Sequence, residues 1–253
     1  MMTTTTLGRK MRVVCLHGWR TNARVLQHQS AGLRAALGDE AEFVFLDGTF
    51  EASGPPQEAV QTFYRHEAPF YEWWNAVKLS PPRTASDKGA SERYAYRYEG
   101  VEETLRLVSE RLEALHPVDV LVGFSQGAGL ATLLTAKWLQ ERDTAPWKVC
   151  VLVSGFRPRA EEVRHLLENE QGRHVKINVP SIHLIGEADA IVRQCEDLFE
   201  TYADASEGVR RLKFLHGEGH KFPTPGKHAD LYRRVACELK RMVLYPQAET
   251  SGL

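Results

Sequence analysis

The apolar run Val118-Asp119-Val120-Leu121-Val122 passes through Gly123-Phe124-Ser125-Gln126-Gly127 into a proline-free stretch, Ala128 to Gln140. The first part reads as a buried strand and the last as a helix. A strand that turns straight into a helix forces its turn residue into a strained backbone conformation. The flanking positions must then be small, and Ser125 is held out above the sheet. Its oxygen also lies at a helix N-terminus, where unpaired N–H groups favour developing negative charge. The competing reading, a glycine-rich turn with an incidental serine, loses ground to the strand-turn-helix context.

The rest of the chain repeats this alternation. Met11–Leu16, Glu42–Leu46, Val118–Phe124, Lys148–Val153, Ser181–Ile185 and Arg210–Leu215 read as strands. Thr21–Leu37, Gly100–Leu115, Ala128–Gln140, Ile191–Tyr202 and Lys227–Val243 read as helices. Near-continuous apolar strands separated by helices imply an α/β fold, a mostly parallel central sheet flanked by helices on both faces. Ligands of such sheets bind beyond the carboxyl ends of the strands. At 253 residues one domain is expected over 11–245, with a cap-like excursion at about 48–98 and flexible ends at 1–10 and 246–253.

Composition narrows the class of partner. A net charge of -1 gives no sign of a nucleic-acid or anionic-membrane surface. Cys15, Cys150, Cys195 and Cys237 are too widely spaced for a disulfide framework, and the first two sit in apolar strands as small hydrophobes. The threonine-rich start lacks the apolar core of a signal peptide, and no segment approaches a membrane span. A cytoplasmic protein is expected; the terminal Ser251-Gly252-Leu253 only loosely echoes a peroxisomal address.

Two segments break the rhythm. Gly48 to Tyr98 is too long for an ordinary connection and carries Pro55-Pro56, Pro81-Pro82, Phe63, Tyr64, Phe70, Tyr71, Trp73 and Trp74. These aromatics either pack the excursion onto the sheet or line an acyl pocket. In the latter reading Trp19 and Phe156 stand near the mouth as substrate-binding residues. Phe156 to Val179 is the second excursion, and its charged stretch Arg159–Glu170 reads as a solvated helix.

A serine hydroxyl is a poor nucleophile, so Ser125 calls for a histidine base and a carboxylate to orient it, in the chain order Ser, Asp, His. The strand Ser181–Ile185 runs into Gly186-Glu187-Ala188-Asp189, and the strand Arg210–Leu215 runs into His216-Gly217-Glu218-Gly219-His220. Asp189, past the glycine, is favoured over Glu187, and His220 over His216, which reads as a structural ring. His216 and His220 lack a third ligand and a helix to bring them together, so neither metal nor other cofactor is expected. The first strand ends in Leu16-His17-Gly18-Trp19 before a helix. Its loop and the residue after the nucleophile should supply two oxyanion-binding amides, those of Trp19 and Gln126, with His17 bracing the loop.

Leu16-His17-Gly18-Trp19, Leu46-Asp47-Gly48 with the aromatic stretch after it, Gly123-Phe124-Ser125-Gln126-Gly127, Gly186 with Asp189, and Gly219-His220 with Pro223 together resemble the FSH-type serine hydrolases of the α/β-hydrolase superfamily. The resemblance spans roughly Met11 to Val243. It implies a carboxylesterase or thioesterase acting on a small-molecule acyl ester or thioester through Ser125, Asp189 and His220 and an acyl-enzyme. A lysophospholipase or peptidase with the same machinery is the alternative enzyme, and a ligand-binding or receptor protein on a hydrolase frame is the alternative class. The absence of G-x-G-x-x-G or a lysine-bearing phosphate loop disfavours nucleotide binding.

Overall fold

The computed structural model describes residues 8–79 and 96–245. The expected flexible ends, apart from residues 8–10, and Pro81-Pro82 of the excursion lie outside the described residues. Among the described residues ten strands follow one another: β1 (Met11–Leu16), β2 (Ala41–Leu46), β3 (Phe50–Glu51), β4 (Tyr71–Glu72), β5 (Asn75–Lys78), β6 (Tyr96–Glu99), β7 (Val120–Phe124), β8 (Val149–Val153), β9 (Ser181–Gly186) and β10 (Arg211–His216). Six of them form one sheet in the order β10-β9-β8-β7-β1-β2, and every neighbouring pair is parallel. The short pairs β3-β4 and β5-β6 are antiparallel and belong to the first excursion.

Alternation along each strand sends its apolar side chains into two cores. Val120, Val122 and Phe124 of β7 join Val13, Cys15, Val151 and Ile182 beneath the helices Ala31–Leu37 and Ala229–Leu244. Leu121 joins Val14, Leu16, Cys150 and Leu152 beneath the helices Val101–Ala114 and Gln126–Arg142. The latter helix is buried without a break from Gln126 to Ala136, which is why its sequence shows no polar face there. Burial also raises the Cys150 thiol to about 11, keeping it a neutral core group. Asp119, a polar interruption in an apolar run, accepts the Arg12 amide at 2.9 Å and pairs with Arg9, so β7 begins only at Val120.

β1 has β2 on one side and β7 on the other. The chain leaves β1 for the sheet edge, makes the long excursion, and returns beside β1 as β7. This is a topological switch point, where loops from adjacent strand ends diverge and open a crevice.

Two sequence expectations are corrected. The single helix Thr21–Leu37 is two, Ala23–Gln29 and Ala31–Leu37, with Ser30 buried between them. A Cβ on Gly32 would come within 2.2 Å of the Tyr232 ring, so the glycine that weakens the helix is needed for packing. Arg159–Glu170 is not a solvated helix: a 3₁₀ turn Glu161–Val163 leads into one turn, Arg164–Leu167, and Val163, Leu166 and Leu167 are buried. The strands of the first excursion, two to four residues each, are too short to display a period in sequence. Among the described residues no helix is long and apolar enough to cross a membrane.

Candidate active site

Ser125 connects β7 to the helix Gln126–Arg142 with φ 52° and ψ -114°, the left-handed backbone that a strand-to-helix elbow demands. Both flanking glycines are sterically required. A Cβ on Gly123 would lie 2.4 Å from the Gly127 carbonyl oxygen, and one on Gly127 would lie 2.1 Å from the Leu16 carbonyl oxygen at the end of β1. Gly18 has the same function across the crevice, since a Cβ there would meet the Phe124 ring at 2.9 Å. The Ser125 amide donates to the Val153 carbonyl at 2.9 Å, tying the elbow to β8.

His220 reaches this serine from the loop after β10. Its Nε2 lies 2.9 Å from Ser125 Oγ, and its Nδ1 lies 2.9 Å from Asp189 Oδ2. A carboxylate can only accept, so Nδ1 carries the proton and Nε2 is free to take the one on Ser125. The Asp189 side chain is fully buried and its Oδ1 accepts the Ile191 amide at 2.9 Å. The two loops are stitched together: the Glu187 amide donates to the His216 carbonyl at 2.8 Å and the Ala188 amide to the Glu218 carbonyl at 3.2 Å. Gly186 permits this, because a Cβ there would lie 2.4 Å from the Glu218 oxygen. Phe124 packs against the His220 ring at 5.3 Å between centroids, and Phe222 backs Phe124 at 5.5 Å.

His216 does not join this line. It is buried against His228, 5.8 Å between ring centroids, with neither ring nitrogen hydrogen-bonded among the described residues, and burial holds its pKa below the usual imidazole range. Glu187 is exposed. His17 is fully buried; its Nε2 accepts the Gly48 amide at 2.8 Å, so Nδ1 carries the proton and lies 2.7 Å from the Gly18 carbonyl. Burial pushes this ring down to about 4. The Leu46-Asp47-Gly48 strand end thus meets the His17-Gly18 turn directly, while Asp47 Oδ1 accepts the Ala23 amide at 2.8 Å and starts the first helix.

A cleft of about 320 Å³ opens over Ser125 and His220. Trp19 lines it, as do Val60, Phe63 and Tyr64 from the helix Glu58–Tyr64. Phe156 does not line it. That ring packs partly buried against the core, close to Gly129 of the elbow helix. Trp73 and Trp74 are also absent from the lining, being fully buried in the core. The aromatic stretch therefore divides between the two uses open to it: the tryptophans anchor the excursion, and Phe63 and Tyr64 face the cleft.

Two features were not legible beforehand. Glu218 closes the loop around His220, its carboxylate accepting the Thr224 amide and hydroxyl, both at 2.7 Å, and these bonds hold it down to about 2. Arg20 pairs with the buried Glu72 at 3.1 Å, 52 positions away. Only spacing within the loop could have hinted at the first. No local signal marks the second.

The serine hydrolase (FSH1) family model matches residues 2–231. The chain belongs to this family. A relative from Homo sapiens, esterase OVCA2, is 29% identical over 229 residues, covering 88% of this chain and 94% of that one. Esterase AGAP003155 of Anopheles gambiae is 31% identical over 225 residues, covering 88% and 76%. Among solved structures, esterase PE8 superposes with a TM-score of 0.58 at 22% identity, covering 91% of this chain and 93% of that one. The Bacillus cereus carboxylesterase gives 0.51 at 14% identity, covering 92% and 89%. At these identities the two structures speak for the α/β-hydrolase fold alone.

Proposed function

We propose that this serine hydrolase is a carboxylesterase that cleaves small acyl esters, with acyl-thioesters as chemically equivalent substrates, through an acyl-enzyme on Ser125. The observation that carries the reading is the hydrogen-bonded line Ser125–His220–Asp189 at the floor of a partly apolar cleft. His220 Nε2 takes the proton from Ser125 Oγ as the oxygen attacks the carbonyl carbon, and returns it to the leaving alcohol or thiol. The same nitrogen then takes a proton from water as it attacks the acyl-enzyme, and returns that proton to Ser125 Oγ as the acid leaves. Asp189 holds the imidazolium that forms in each half-reaction.

The negative charge that builds on the carbonyl oxygen needs two donors. Gln126 opens the elbow helix, so its amide has no acceptor within that helix. We assign the second donor to the amide of Trp19, in the loop beyond β1. The acyl chain occupies the cleft against Trp19, Val60, Phe63 and Tyr64. Each methylene removed from water favours binding by about 0.8 kcal/mol, so a chain of several carbons outcompetes acetate by orders of magnitude in kcat/KM.

A fluorophosphonate probe and an ester series from acetate to decanoate test this reading. The protein should be labelled, and Ser125→Ala should abolish both labelling and turnover. Full turnover by Ser125→Ala removes the serine mechanism, whereas specificity that peaks at acetate and falls steadily with length removes only the acyl cleft.

A further inference from the structure

The loops that carry the Trp19 and Gln126 amides come from different strands, and no contiguous stretch of sequence sets the distance between them. One short segment of the first excursion touches both. On the β1 side, the Tyr71 amide donates to the Thr21 carbonyl at 2.7 Å, and the Trp73 indole donates to the His17 carbonyl at 2.8 Å. Glu72 Oε2 accepts from Arg20 Nε at 3.1 Å. Residues 17, 20 and 21 bracket Trp19. On the β7 side, the buried Gln126 side chain accepts the Trp73 amide at 3.1 Å and donates to the Trp74 carbonyl at 2.9 Å. Thr104 donates to the Trp73 carbonyl and fixes the segment to a third element.

Arg20 is the most heavily constrained of these residues. It is a non-glycine at φ 53°, immediately after Trp19. Besides Glu72, its guanidinium donates to Ser53 Oγ at 2.8 Å and to the Pro55 carbonyl at 3.2 Å, and it lies 4.1 Å over the Trp19 ring. Gly54 packs directly under this side chain: a Cβ there would come within 2.5 Å of the guanidinium and push it aside. Glu72 is only 1% exposed. A buried ion pair adds little net stability over apolar residues of similar volume, whereas it does impose a specific geometry. Here that geometry falls on the residue next to a proposed oxyanion donor.

We propose that Tyr71-Glu72-Trp73-Trp74 is a strap that sets the separation of the Trp19 and Gln126 amides, and that the Arg20–Glu72 ion pair is a positioning element for the oxyanion hole. The inference rests on the serine-esterase reading above. Neither Arg20 nor Glu72 meets the substrate; they act through the backbone of Trp19.

The test compares Arg20→Met, Glu72→Gln and Arg20→Lys with the unaltered protein. Arg20→Met and Glu72→Gln should lower kcat about tenfold to a hundredfold with KM nearly unchanged, and weaken a trifluoromethyl ketone or boronic acid inhibitor by the factor lost in kcat/KM. The inflection of the pH–rate profile should stay in place, since the base is untouched. Arg20→Lys, which keeps a cation beside Glu72, should recover part of the loss and provides a folded variant should the other two prove unstable. Folded variants with unaltered kcat and inhibitor affinity overturn the strap. A loss explained by a moved inflection or by KM alone overturns it equally. Ser125→Ala run alongside separates the two levels: if it stays active the esterase reading fails, and if it is dead while Arg20→Met is unimpaired only the strap fails.

Discussion

Ser125 and His220 are 95 residues apart and face each other at 2.9 Å, yet they are held by different physics. The serine side is steric. Its geometry follows from a left-handed residue between two glycines whose Cβ atoms would strike backbone at 2.4 and 2.1 Å. The histidine side is built mainly from hydrogen bonds: two strand-end loops joined, where Gly186 leaves room, by backbone bonds from Glu187 and Ala188, with Glu218 closing the loop that carries the ring. A steric device tolerates no added atom. A hydrogen-bonded one loosens by degrees as its members are removed.

The largest expected effect treats both sides alike. Ser125→Ala and His220→Ala should each reduce kcat by at least ~10⁴-fold, because each removes a member of the proposed proton-transfer unit. His216→Ala should keep most of the activity of any folded protein. A more severe loss at His216 than at His220 in a steady-state assay would assign the base wrongly and break the comparison at its centre.

Gly127→Ala comes next and separates the two sides. Its added methyl cannot be accommodated without moving β1 or the elbow helix, so destabilisation of roughly 1–3 kcal/mol or more in a denaturant melt is expected, with loss of activity. Glu218→Gln should be milder. It keeps an acceptor for Thr224 but loses the charge, and a several-fold fall in kcat with little change in melting temperature is expected. If Glu218→Gln proves as damaging as Gly127→Ala in both measurements, the contrast between a steric and a hydrogen-bonded side is lost.

An effect on stability alone, with no part in the chemistry, concerns acid. Burial lowers His17 to about 4 and His183 to about 3. Below about pH 6.5 the unfolded chain binds protons that these folded rings refuse, so stability falls as pH drops from 6.5 towards 4, by about 2 kcal/mol for each ring at pH 5. Glu218 contributes with the opposite chemistry. A carboxylate lowered to about 2 keeps its contribution above its ordinary value of 4.5 and loses it progressively as pH falls from there through 2. Urea melts between pH 7 and 5 should therefore show the loss, and His183→Gln should remove part of it while Glu218→Gln leaves its slope intact. A flat stability across that range would rule out the histidine contribution.

Legibility in the sequence follows the same division. The elbow was readable because its determinants are contiguous: an apolar strand, two glycines around Ser125, and a helix without proline. The inner strands β1, β7, β8 and β9 were readable because burial on both faces leaves near-continuous apolar runs, the edge strands β2 and β10 keep shorter apolar stretches, and the order of the strands along the chain placed Asp189 and His220 after successive ones. The break at Ser30 and the burial of Leu166 and Leu167 were not readable, since both depend on what packs opposite them.

The sequence by itself determined the strand-helix alternation, the elbow and the candidate loops, because each depends on neighbours in the chain and on local sterics. Tertiary structure alone decided the rest. It brought His220 rather than His216 to Ser125, turned Phe156 towards the core, gave Tyr64 to the cleft and the tryptophans to the interior, and set Glu72 against Arg20. Those outcomes are pairings across long stretches of chain, and a side chain's partner at such a distance is selected by the packing of the whole sheet and its excursions.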